Sequence, residues 1–162
     1  MHPTKNTLPN ETRSKIIELL QARLADVIDL TSHAKQAHWN VKGPNFIALH
    51  ELFDQIYGEL GEYSDTIAER LVGLGGQAYG TVHEAAKRSA LTEYPVDVSA
   101  GAKHVDALGD SLATFGKSVR EAIDAAGELG DQATADLFTE VSRGIDKSLW
   151  FVDAHSVGME QP

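Results

Sequence analysis

Apolar residues recur at three- and four-residue steps through four long stretches of this chain, and nothing constrains its fold more strongly. The first stretch begins near Glu11 and carries Ile16, Ile17, Leu20, Leu24, Val27, Ile28 and Leu30. The second, from about Asn45 to Leu74, carries Phe46, Leu49, Phe53, Ile56, Leu60, Ile67 and Leu71. A third spans Ala100 to Glu128 on Val105, Leu108, Leu112, Phe115, Val119 and Ile123, and a fourth reaches His155 on Leu137, Phe138, Val141, Ile145, Leu149 and Val152. Each reads as a long amphipathic helix. Asn10 is the expected N-cap of the first, with Glu11 in its opening turn, and Asp131 is the expected cap of the fourth. Gly43-Pro44 and Gly75-Gly76 supply the stops.

The links differ in length. Helices one and two, and three and four, are joined by short turns, whereas residues 75–99 are too long for a turn and carry a short helix near "TVHEAAKRSA". The expected fold is therefore all-α, a four-helix bundle with one long crossover carrying a short helix, which is ferritin-like connectivity. A chain of 162 residues suits one domain. Its expected divisions are a flexible N-terminal tail at 1–10, the bundle at 11–156 and a short C-terminal tail at 157–162.

Cysteine is absent, which excludes disulfide scaffolds and thiolate metal sites, so any metal must be held by His and carboxylate. The opening "MHPTKNTLPN" lacks a signal-peptide apolar segment and no apolar run is long enough to span a bilayer, so a cytoplasmic, membrane-free protein is expected. A formal net charge of −10 argues against broad binding to nucleic acid.

Chemistry concentrates on the second helix. With His50 at zero on a helical wheel, Asp54 falls at about 40°, Asp65 at about 60° and Glu69 at about 100°. The core residues of the same helix cluster at about 240° to 300°, so the ligand stripe faces away from the bundle interior. His50 and Asp65 lie roughly 22 Å apart along the axis, too far for one metal to bridge. The stripe is nevertheless palindromic about the midpoint between Glu59 and Leu60: His50 mirrors Glu69, Asp54 mirrors Asp65, and Gly58 mirrors Gly61. Two antiparallel copies crossing there would bring His50 and Asp54 of one chain to Asp65 and Glu69 of the other, creating two equivalent shared sites. The glycines would allow the backbones to approach. Because Pro44 lies midway between His38 and His50, a hairpin turning there also sets His38 level with His50. Mixed imidazole and carboxylate ligation suits iron, with zinc as a competitor.

The spacing H-x11-H-x3-D-x10-D-x3-E, within "HWNVKGPNFIALHELFD" and "DTIAERL", closely resembles that of the Dps proteins, or mini-ferritins. The likeness continues in "DKSLWFVDAH". This resemblance implies a hollow shell of twelve subunits built from antiparallel dimers, with a ferroxidase centre at each dimer interface. Fe(II) would be oxidised there by hydrogen peroxide or O2 and stored as ferric mineral, protecting against oxidative damage. His38, His50, Asp54, Asp65 and Glu69 would then be both metal ligands and catalytic residues. Trp39 adjoins the site, although ordinary packing is the reading favoured for it.

The resemblance further implies that Asp131, Asp136 and Glu140 line an acidic cation pore and that Glu51 helps to nucleate mineral, although Gln55 stands where another carboxylate is expected. Capping and helix-dipole placement compete for the pore residues. Direct DNA binding is doubtful, because the first ten residues offer only Lys5 and twelve chains would carry roughly −120. The alternative is a nucleoid-compacting DNA-binding protein whose metal sites are secondary. A metal-free helical module and an ordinary intrachain di-iron bundle also compete, but the Glu-x-x-His signature of the latter is missing. His33 and His104 read as surface or packing residues.

Overall fold

The computed structural model describes residues 1–157; within the expected C-terminal tail, 158–162 lie outside the described residues. The helices are α1 (Asn10–Asn40), α2 (Phe46–Gly73), α3 (Val82–Arg88), α4 (Gly101–Glu128) and α5 (Gln132–Ala154). The described residues contain no strand beyond one isolated bridge between Lys42 and Ala100. Helices α1 and α2 form one hairpin and α4 and α5 the other, the two meeting through α1 with α4 and α2 with α5, while α3 lies on α1. This is the expected all-α ferritin-like bundle with its crossover helix. No helix among the described residues is long and apolar enough to cross a membrane.

The core follows the sequence periodicity. Leu20, Phe53, Leu60, Ile67, Phe115, Val119, Phe138 and Ile145 are completely buried between the two hairpins. Phe46 is a departure, since it is 39% exposed and packs beside the His50 ring instead of entering the core. It is the first residue of α2.

The start of α1 also differs. Pro9 holds the N-cap position without a side-chain cap, and Asn10 is already helical, its amide oxygen turned to the Arg13 guanidinium. Buried Arg13 draws it there, and also donates to the carbonyls of Leu8 and of Leu74 at the end of α2. The segment expected as a tail makes one main-chain contact with the end of α2. The His2 amide donates to the Gly75 carbonyl at 2.6 Å. Gly75 has φ +92, and a Cβ there would sit 2.7 Å from the His2 carbonyl oxygen, so glycine serves both the turn and the close approach.

The crossover is stitched to α1. Gln21 exchanges two hydrogen bonds with the main chain of Tyr79, and buried Asp26 accepts from the Ala90 amide while pairing with Arg23 at 3.0 Å. Thr81 caps α3. Beneath the crossover, His33 and His104 are both buried. They are packing residues, and the surface reading does not hold for either. His33 bonds Ser111 and faces Asp29, while His104 meets Tyr94 and Phe53.

Candidate metal centre

Gly43, at φ +120, reverses the chain ahead of α2 so that the end of α1 lies against the start of α2. The expected alignment of His38 with His50 follows. The two imidazoles stack with centroids 3.8 Å apart and planes inclined at 22°. Each Nδ1 lies 2.8 Å from the main-chain carbonyl oxygen of the other histidine. A carbonyl only accepts, so each Nδ1 carries its proton and donates. In the neutral rings this leaves both Nε2 lone pairs free, with ring orientation fixed by the other residue's backbone. The turn at Gly43 thus sets tautomer, stacking and direction together.

Asp54 stands one turn beyond His50, and its carboxylate lies 3.9 Å from His38 Nε2. Lys35 Nζ occupies the same carboxylate oxygen and also sits 4.3 Å from the Tyr57 ring centroid. The hydrogen bond from Lys35 lowers the Asp54 carboxyl from its ordinary value, with burial acting the other way. A cation entering here would meet two imidazole donors and a carboxylate that would have to give up Lys35. Lys35 was missed in the sequence, yet the reflection about Pro44 that pairs His38 with His50 carries Lys35 to within one residue of Asp54.

Asp65 and Glu69 are exposed further along the same face, without a hydrogen-bond or ion-pair partner among the described residues. The structure does not bring them to the histidines, and no group of three His or carboxylate residues converges as a metal cage within the described residues of one chain. Ile47 and Val72, 59% and 53% exposed, share this face. A Cβ at Gly58 or Gly61 would meet no atom within 4 Å, so nothing inside the chain requires glycine at either place. Trp39 is 67% exposed, which overturns the packing expectation for it. It lies in the last turn of α1.

At the other end of α2, Asp131 is buried and caps α5, accepting from the Thr134 amide at 3.1 Å and its hydroxyl at 2.6 Å. Arg70 donates to both its oxygens at 2.8 and 2.9 Å. Burial pushes the Asp131 carboxyl up, but the bonds from Thr134 and Arg70 together outweigh it and leave it below the ordinary value. Its carboxylate is thus engaged in structure, while Asp136 and Glu140, one turn apart on α5, are exposed. Glu51 is exposed on α2, and Gln55 beside it donates to Glu59 at 2.9 Å.

A four-helix bundle with one crossover and imidazole and carboxylate groups on its second helix defines a ferritin-like protein. The description "Ferritin-like domain" matches residues 17–161. The DNA protection during starvation protein of Agrobacterium fabrum is 48% identical over 154 residues, covering 95% of each chain. Among solved structures, Mycobacterium smegmatis Dps superposes with a TM-score of 0.91 at 32% identity, over 96% of this chain and 88% of that one. The Dps protein of Vibrio cholerae O1, described as a member of a broad superfamily of ferritin-like diiron-carboxylate proteins, matches with a TM-score of 0.87 at 26% identity, over 95% and 96%. The chain belongs to the Dps family.

Proposed function

We propose that this protein oxidises Fe(II) with hydrogen peroxide, or O2, at centres shared between two antiparallel chains, and stores the ferric product inside a dodecameric shell in the cytoplasm. The observation that carries this reading is the reciprocal clamp of His38 and His50, which leaves two Nε2 lone pairs free, that of His38 beside Asp54, while Asp65 and Glu69 stand bare on the same face. Three donors from one chain leave a cation's coordination open. The partner's Asp65 and Glu69 complete it, and the chemistry of this set suits Fe(II), with zinc competing.

The exposed apolar residues support the same axis. Ile47 and Val72 mirror each other about the midpoint between Glu59 and Leu60, as do the ligands and the glycines. An isologous contact would cover both at once. Asp136 and Glu140 would gather cations at an acidic pore whose helix start Asp131 anchors, and Glu51 would take part in nucleation. Protection then works by removing iron and peroxide together, without a DNA coat: the acidic charge opposes phosphate.

Mixed assemblies test the shared site. His50→Ala and Asp65→Ala, each inactive alone, should regain iron oxidation when dissociated and reassembled together, because one of the two sites in a mixed dimer then has all its ligands. Reassembly into oligomers of full size with no recovered activity would contradict the reading.

A further inference from the structure

Tyr94 and His104 form a buried pair that the metal ligation leaves unused. Tyr94 is 6% exposed and His104 is fully buried, with the phenol oxygen 2.8 Å from His104 Nδ1 and the two rings nearly parallel. Among the described residues, His104 Nε2 meets no partner in full hydrogen-bond geometry. This fixes the proton positions. If Nδ1–H donated to the phenol oxygen, both the Tyr94 hydroxyl hydrogen and the Nε2 lone pair would be buried unpaired. If Tyr94 donates, only Nε2–H is left over, and leaving one buried group unsatisfied costs less than leaving two. The phenol therefore points its proton at a basic lone pair. Burial keeps that imidazole neutral by lowering its proton affinity, with the Val98 main chain acting the other way, and pushes the Tyr94 phenol well above its ordinary range.

The pair lies on the core side of α2, behind the face that carries Asp54. The Phe53 ring, whose residue precedes Asp54, meets His104 edge-on at 6.5 Å. An open groove of about 550 Å³ is lined by Tyr94 and His33 and also by Trp39, which follows His38.

We infer that Tyr94 and His104 act as a proton-coupled one-electron donor toward oxidants of the hydroxyl-radical class formed where peroxide meets Fe(II), an inference that rests on the iron-oxidising reading. Tyr94 gives up one electron while its O–H bond breaks and the proton crosses to His104 Nδ1. Without that base the phenol would hold a positive charge in an apolar site. The oxidant takes the electron and a solvent proton and becomes water. A second Fe(II) then returns an electron to the phenoxyl radical, the proton moves back from Nδ1, and Fe(III) is released. In sum, one hydroxyl radical, one Fe(II) and one proton give one water and one Fe(III).

The test uses the assembled protein with Tyr57, Tyr63 and Tyr79 replaced by Phe, so that Tyr94 is the sole remaining tyrosine of the four. A flash-generated soluble one-electron oxidant, applied without iron, should produce the absorption and electron paramagnetic resonance spectrum of a neutral phenoxyl radical. The signal should vanish in Tyr94→Phe, fall sharply in His104→Gln, and form more slowly in deuterated water, a readout that needs no further substitution. Absence of the radical, or yields and rates indifferent to both His104→Gln and deuteration, would overturn the inference. With Fe(II) and peroxide the same radical should accompany iron oxidation. Iron oxidised normally without the radical would also overturn it, whereas failure to oxidise iron at all would count against the proposed function, with the flash result still judging the pair.

Discussion

Replacing Gly58 and Gly61 together by Ala gives effects of opposite sign in the single chain and in the assembly. No atom lies within 4 Å of a Cβ at either position, so the isolated helix accommodates both methyl groups freely. Each Gly→Ala change in a helix interior gains about 1 kcal/mol, so the pair should stabilise the dissociated chain by about 2 kcal/mol. That is roughly a 30-fold shift in its folding equilibrium. If two copies of α2 cross there, four methyl groups enter a close backbone contact, and overpacking of this kind costs about 1–3 kcal/mol. Association should then weaken by about 30-fold at the middle of that range. Urea unfolding of the dissociated chain, sedimentation of the assembly and stopped-flow iron oxidation read the three effects. A variant that gains stability while assembling and oxidising iron like the parent would refute the crossing at these glycines.

Asp131→Asn should lower stability by about 2 kcal/mol, less than the ~3–5 for removing one member of a fully buried pair, because Arg70 keeps 25% exposure and Asn retains an acceptor for the Thr134 amide. The urea midpoint checks this, and a loss confined to iron uptake would instead favour a pore role. Since the folded Asp131 carboxyl lies below its ordinary value, its contribution is full above an unfolded value of about 3.9 and is lost as pH falls through the folded one. His33 and His104 act at higher pH. Burial lowers both, against the pull of Asp29 on His33, so their neutral forms stabilise the fold fully above an unfolded value of about 6.5, and this contribution declines as pH falls toward their folded values. Unfolding titrations of His33→Gln and His104→Gln should show a flatter acid slope than the parent; an unchanged slope would exclude them as its source.

The bundle and the meeting of His38 with His50 were legible because both rest on short-range regularities. Helical period, the stop at Gly43-Pro44 and the cap at Asp131 are local, and the reflection about Pro44 carries His38 to His50. What escaped depends on contacts between distant segments. The His2 amide meets the Gly75 carbonyl, and Asn10 turns from capping because Arg13 reaches the end of α2. Lys35 finds Asp54 across the hairpin, while Tyr94 gains its meaning only when α4 brings His104 beneath the crossover. Periodicity places polar residues on a face, but does not say whether another element will cover them. His33 and His104 lie on helices as expected, yet their burial follows from the crossover packing above them.

Whether one site needs two chains can be read from anomalous diffraction at the iron edge from Fe(II)-loaded crystals of the assembly. Metal should appear at two symmetric positions per antiparallel pair, each touching His38, His50 and Asp54 of one chain and the partner's Asp65 and Glu69. Metal held by His38 and His50 with Asp65 and Glu69 of every chain remote from it would contradict the account.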